Sequence, residues 1–155
     1  MLDSALLMRR ALRSVCDQHG LDPNNLVHMP YEPRQKLQDL VIAIADDMRY
    51  NQLKYFRPFE HQLRFFSTGS SERRGILAAN RIGKTVSTCF ETACHLTGRY
   101  PEWWPVSARR FNKPVTVMCA GEGWNQVAMV LQNELLGTQD IKIVENIGTG
   151  MIPRD

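Results

Sequence analysis

Apolar positions recur three and four apart through the first third of the chain, then give way to short apolar runs separated by polar turns. Ala5, Met8, Leu12 and Val15 form one stripe and predict a helix over 4–18, with Ser4 suited to cap its start and Gly20 placed just past its end. A polar stretch holding Pro23, Asn24, Asn25 and Pro30 breaks the period. Leu37, Leu40, Val41, Ile44, Ala45 and Met48 restore it and predict a second helix from about Pro33 to Lys54, with Pro33 in a favourable first-turn position. Aromatics then cluster at Tyr55, Phe56, Phe59, Phe65 and Phe66, before a loop of composition STGSSERRG. Gly75 to Ala78 is a short run of strand type. Lys84 to Thr97 predicts a helix with Val86, Cys89, Phe90, Ala93 and Leu96 on one face and Gly98 at its stop. After an irregular, proline-bearing stretch, Pro114 to Ala120 reads as a buried strand. Trp124 to Leu136 reads as a helix with Val127, Val130, Leu131 and Leu135 on one side, and Ile141 to Val144 as a third strand.

Strand, helix, strand, helix, strand is the order of an α/β domain with a parallel sheet flanked by helices. The expected organisation is a helical appendage over 1–54 and an α/β domain over 55–155.

A chain of 155 residues is long enough to bury a sizeable core. Its longest clean apolar run, Leu40 to Ala45, is far too short to span a bilayer, and no signal-peptide pattern opens the chain. The expectation is a soluble cytosolic protein without a membrane partner. Cys16, Cys89, Cys94 and Cys119 form no C-x-x-C pair and fit no metal spacing, so buried, reduced thiols are expected.

Charge changes the picture more. Residues 1–54 carry seven basic and seven acidic groups, residues 55–113 ten and four, and residues 114–155 two and five. The basic excess surrounds the stretch ILAANRIGKT at 76–85. That excess suits a polyanion, either a nucleotide or a nucleic-acid backbone, or it is a solvated basic face.

A phosphate-binding loop needs backbone N–H groups turned inward, a cation for the β- and γ-oxygens, and a hydroxyl for Mg²⁺. Gly83 permits close backbone approach, Lys84 is the cation, and Thr85 supplies the hydroxyl at a helix N-terminus. Ala78 stands where such loops carry their first glycine, a position that donates no side chain. Ala79, Asn80, Arg81 and Ile82 complete the loop. Arg81 either adds a second charge near the γ-phosphate or points to solvent. An incidental turn is the competing reading of the loop.

Other residues carry weaker signals. In FRPFEHQ, Gln62 follows aromatics; its amide can pair with an adenine edge while a Phe lies against the base, or it is a helix-surface residue. Glu122, in CAGE, would lie near the ligand crevice at the end of the second strand, near a bound DNA strand, or simply at the start of the next helix. Trp103 and Trp104 either stack on bases or pack beneath a long connection.

In order, RPFEHQLRFF, GILAANRIGKT, GRYPEWWP, VTVMCAGE and GTGMIP resemble the ATPase domain of the large terminase subunit of tailed double-stranded DNA bacteriophages. The resemblance covers roughly residues 55–155, and in that family a deviant loop with an internal Arg is usual. It implies a partial P-loop NTPase (RecA-like) fold. It also implies a motor that hydrolyses ATP, with Mg²⁺, to pump double-stranded DNA through a portal into a procapsid in the bacterial host cytoplasm. Its further implications are a small terminase subunit as partner and a homo-oligomeric ring. Carried over, Lys84 would stabilise the β/γ-phosphates, Thr85 would ligate Mg²⁺, Arg81 would sense or stabilise the γ-phosphate, and Gln62 would contact adenine.

The chain departs from that pattern. The family's second acidic motif is an apolar strand ending in Asp-Glu; IKIVEN ends instead in Glu145-Asn146. The nuclease domain that the resemblance also implies is not expected within these 155 residues. An N-terminal piece of a longer protein is expected, able to bind nucleotide but poor at hydrolysis. Two alternatives stand beside it: a non-enzymatic nucleic-acid-binding or assembly module, and another loop ATPase such as a helicase. Helices 4–18 and 33–54 either pack on their own domain or dock a partner.

Overall fold

The structure is a computed structural model, and it describes residues 4–24, 29–137 and 147–154. The chain divides into two compact units, residues 1–49 and 50–155.

The first unit is built on α1 (Ser4–His19) and most of α2 (Tyr31–Tyr50). Gly20 adopts φ +63°, and the Leu21 N–H returns to the Cys16 carbonyl at 2.9 Å, closing the end of α1. Val15, Cys16, Met29 and Pro33 are buried. The stripe of α2 is only partly covered, with Leu40 40% exposed. The single helix expected to run on to Lys54 is interrupted: α2 ends at Tyr50, and a separate turn, α3 (Gln52–Tyr55), starts the second unit.

The second unit is helical. It holds α3, α4 (Glu60–Ser67), α5 (Lys84–Thr97), a π-helical segment (Gln126–Gln132) and α6 (Asn133–Leu136). α4 is two turns long, too short for a period to declare itself in the sequence. Its core joins Phe66 to Cys89, Phe90, Ala93 and Cys94 on one side of α5, with Trp104, Leu135 and Met151 around them. Phe56 stacks on Phe90 with centroids 4.1 Å apart, and Trp103 stacks on the same ring at 5.4 Å. Trp104 is 2% exposed, so both tryptophans pack under the long connection. Leu96, assigned to the apolar face of α5, is 41% exposed; Cys94 takes the buried position instead.

The expected parallel sheet, and with it the RecA-like α/β fold, is overturned: among the described residues there is no strand. Residues 75–78 and 114–120 form no ladder. The buried strand read into 114–120 requires covered faces, yet Met118 is 92% exposed, as is the whole of Leu77 in the first run. Short apolar runs look alike whether or not a neighbour covers them, and here the helices and aromatic loops close the core without these two. The third run, 141–144, and Glu145-Asn146 lie outside the described residues.

The GTGMIP stretch has a clear role. The last four carbonyls of a helix lack internal partners. Around α6, Gly137 N–H satisfies Asn133, Met151 N–H satisfies Glu134, Ile152 N–H satisfies Leu135, and Gly148 N–H satisfies Leu136, all within 2.9 Å. A methyl group on Gly150 would stand 2.5 Å from the Leu135 carbonyl carbon, so only glycine allows this approach.

Candidate nucleotide-binding site

The loop at 78–83 enters α5 through two left-handed residues, Arg81 (φ +65°) and Gly83 (φ +83°). An arginine rarely takes this conformation, so Arg81 marks local strain of about 1–3 kcal/mol held by its surroundings. Two contacts hold the loop from α4. The Ile82 carbonyl lies 3.1 Å from His61 Nε2, and the Gly83 carbonyl lies 3.5 Å from Gln62 Nε2. Gln62 is buried, and its Oε1 accepts the Phe59 N–H at 2.9 Å, satisfying the first turn of α4 as half of a capping box.

Lys84 folds back over the loop. Its Nζ donates to the carbonyls of Ala78 at 2.8 Å and Ala79 at 2.7 Å. The first alanine thus participates through its carbonyl, which any residue could supply. Of the hydroxyls in the first turns of α5, Ser87 is spent on the Gly83 carbonyl at 2.7 Å and Thr88 on that of Thr85 at 3.0 Å. Thr85, half-buried, makes no hydrogen bond among the described residues through its own side chain.

Beside the loop lies an open cleft of about 380 Å³, with Phe59, His61 and Gln62 on one wall and Arg81, Ile82 and Gly83 on the other. Phe59 is 68% exposed, and its ring stacks on His61 with centroids 5.8 Å apart. Arg57 also lines the cleft, so two guanidinium groups sit on an otherwise largely apolar surface. The fold therefore brings Gln62, Arg81, Ile82 and Gly83 together and ties Ala78 and Ala79 to them through Lys84. Asn80 is exposed on the loop. Glu122 does not line the cleft; it precedes the π-helical segment, where its N–H donates to Gln126 Oε1 at 2.9 Å. Sequence reasoning missed His61, whose signal was only its place next to Gln62, and Arg57.

Behind α5, Arg74 and Glu91 form a largely buried ion pair at 2.8 Å, with Arg74 stacked 4.5 Å over Phe65. His95 Nε2 lies 3.6 Å from the other Glu91 oxygen. Burial, with Glu134 and Cys119 nearby, pushes the Cys89 thiol up to about 11; burial and Glu91 push Cys94 up to about 12. Both are inert core thiols at neutral pH. Cys119 departs from the expectation and is exposed. Among the described residues no cluster of three or more His, Cys, Asp or Glu suits a metal, and no helix is long and apolar enough to cross a membrane.

Against known proteins, no family model and no solved structure matches this chain. It is 32% identical over 127 residues to the large terminase subunit of Salmonella phage P22. The match covers 71% of this chain and 24% of that protein. The relation is terminase-like, and it spans about a quarter of the relative's length.

Proposed function

We propose that this chain supplies the ATP-binding portion of a viral DNA-packaging motor, one that couples ATP hydrolysis to movement of double-stranded DNA into a procapsid. The observation that carries the reading is the joining of Gln62 to Gly83 beside a cleft walled by Arg81, Ile82 and Gly83, with the next residue, Lys84, holding the Ala78 and Ala79 carbonyls of the loop. In this reading the cleft takes the base and sugar, with Phe59 against the base face. Gln62 has a second amide hydrogen to offer an adenine acceptor while still bracing the loop. Lys84 exchanges the Ala78 and Ala79 carbonyls for phosphate oxygens, which are stronger partners for an ammonium. Arg81 neutralises charge at the terminal phosphate. Mg²⁺ prefers to keep most of its waters and to bind through phosphates plus one or two protein oxygens. The unspent Thr85 hydroxyl fits that demand, and the ion adds charge neutralisation when it arrives with the nucleotide.

Double-stranded DNA, a small terminase subunit, a portal and further copies of the chain are the partners this reading brings, in the host cell. Among the described residues the cleft lining offers cations and the Gln62 amide but no carboxylate to orient water, so slow turnover by this chain alone is part of the reading. The test is a titration with a fluorescent ATP analogue. Lys84→Ala should weaken binding at least about tenfold, the scale of one lost charge-assisted contact. Equal binding by the variant and the parent would sink the reading.

A further inference from the structure

Arg74 stands just before the run 75–83 that leads into α5, and three contacts hold it. Its guanidinium nitrogens divide between two helices: Nη1 donates to the Phe65 carbonyl of α4 at 3.2 Å, and Nη2 donates to Glu91 Oε2 of α5 at 2.8 Å. The guanidinium carbon also lies 4.5 Å from the centroid of the Phe65 ring. A planar fork of donors can serve two acceptors and a ring face at once, where an ammonium cannot. The side chain of Arg74 is 20% exposed and that of Glu91 6%, so solvent screens the pair little.

α4 and α5 also fix the far end of the run. His61 and Gln62 of α4 reach the carbonyls of Ile82 and Gly83, and α5 begins at Lys84. Glu91 follows Lys84 by two helical turns less about 20°, which puts the two on one face of α5, about 10 Å apart along its axis. The chain from Arg74 to Lys84 is therefore a strap pinned at both ends to one helix. Among the described residues, the hydrogen bonds on 75–80 are those that the Ala78 and Ala79 carbonyls accept from Lys84. When the ammonium turns to phosphate oxygens, these two bonds are given up. The shape of the strap then depends on its end pins.

We propose that Arg74, braced by Glu91, is a positioning residue of the nucleotide loop. It fixes the entry of the strap so that the backbone stays wrapped around the β- and γ-phosphates once Lys84 has left the Ala78 and Ala79 carbonyls. This inference rests on the nucleotide reading above and adds to it a residue outside the cleft: Arg74 does not line that space and touches no nucleotide. Its effect falls on the outer phosphates. The base and sugar, on the Phe59 and Gln62 side, are held without it.

The experiment is displacement of a fluorescent ATP analogue from the 155-residue chain by ATP and, separately, by AMP, which lacks the outer phosphates. A smaller competent fraction weakens both ligands by the same factor, so the ratio of their affinities is blind to stability. Arg74→Ala should narrow that ratio at least about threefold. Arg74→Ala/Glu91→Gln removes the unpaired buried carboxylate and should regain stability, yet it still lacks the anchor, so the ratio should stay narrowed. Lys84→Ala should narrow the ratio with the anchor intact. If it does so while the Arg74 variants keep the parent ratio, the anchor is refuted and the nucleotide reading stands. If Lys84→Ala keeps the parent ratio, or the parent binds neither nucleotide, both are refuted. Recovery of the ratio along with stability in the double variant would show that the pair only holds the fold, and would overturn the proposal.

Discussion

Gln62 stands directly behind Gly83: a methyl group at position 83 would lie 2.8 Å from Gln62 Nε2, and that nitrogen is 3.5 Å from the Gly83 carbonyl oxygen. The turn into α5 is thus shaped from two sides, by a backbone only glycine adopts readily and by an amide that leaves no room for a side chain. Gly83→Ala should cost about 1–2 kcal/mol for the left-handed backbone alone, and more once Gln62 is displaced. Urea unfolding gives the first figure, and nucleotide titration should show binding fall with it. Unaltered stability would mean that the turn is not held in this form.

Gln62 itself makes a separable prediction. Its Oε1 satisfies the Phe59 N–H at the start of α4. Gln62→Ala should therefore cost about 1 kcal/mol, as lost helix caps do. Gln62→Glu keeps the acceptor but loses the donor and sets a buried carboxylate against the Gly83 carbonyl, so it should cost more stability than Gln62→Ala and weaken nucleotide binding. If both variants lose stability alike, the amide nitrogen has no distinct role at the loop.

Arg74 and Glu91 set up a test by double substitution. Glu91 is 5% exposed, and among the described residues Arg74→Ala would leave its carboxylate with His95, 3.6 Å away, as its one basic neighbour. Breaking a buried pair from one side costs about 3–5 kcal/mol, because the survivor stays charged and unpaired. Arg74→Ala/Glu91→Gln should therefore be more stable than Arg74→Ala by denaturant midpoint. Strict additivity of the two substitutions would show that the pair is not coupled.

These residues also show what the sequence made legible. The α5 boundaries and the loop leading into it followed from a clear helical period, a glycine stop and a distinctive GKT step, all local signals. The buried Gln62 was visible as a candidate, but its contact with Gly83 spans 21 residues, and nothing local encodes that. The sheet was misread for the same reason. VTVMC has the composition of a strand, but a strand exists only through a neighbour, and Met118 at 92% exposure shows that no neighbour covers it. Ion pairs such as Arg74–Glu91 join a polar loop to a helix face, and either residue alone reads as ordinary surface.

Gly150 should tolerate no side chain. Its Cβ would meet the Leu135 carbonyl carbon and the Gly137 nitrogen at 2.5 and 2.6 Å, both backbone atoms that cannot step aside. Gly150→Ala should detach the 148–152 stretch from the end of α6 and expose Met151, which is 5% exposed in the fold. A loss above about 2 kcal/mol is expected, in the range of overpacked cores. Limited proteolysis should then cut this stretch in the variant and spare it in the parent; equal resistance would contradict the docking.

The thiols give a pH dependence whose sign is fixed by burial. Cys89 and Cys94 ionise near 9 in the unfolded chain but only near 11 and 12 in the fold. Below pH 9 both states hold these protons, and the thiols cause no change. Between pH 9 and about 11 the unfolded chain releases them while the fold retains them, so stability should fall as pH rises. Urea midpoints at pH 8 and pH 10 measure the drop, and Cys89→Ala/Cys94→Ala should flatten it while lowering both midpoints through the small cavities left. A chromogenic disulfide reagent at pH 8 supplies the chemical counterpart: exposed Cys119 should react at once, and the buried Cys16, Cys89 and Cys94 only when the chain unfolds. Rapid reaction of all four thiols in the native protein would mean that α5 does not bury the face assigned to it.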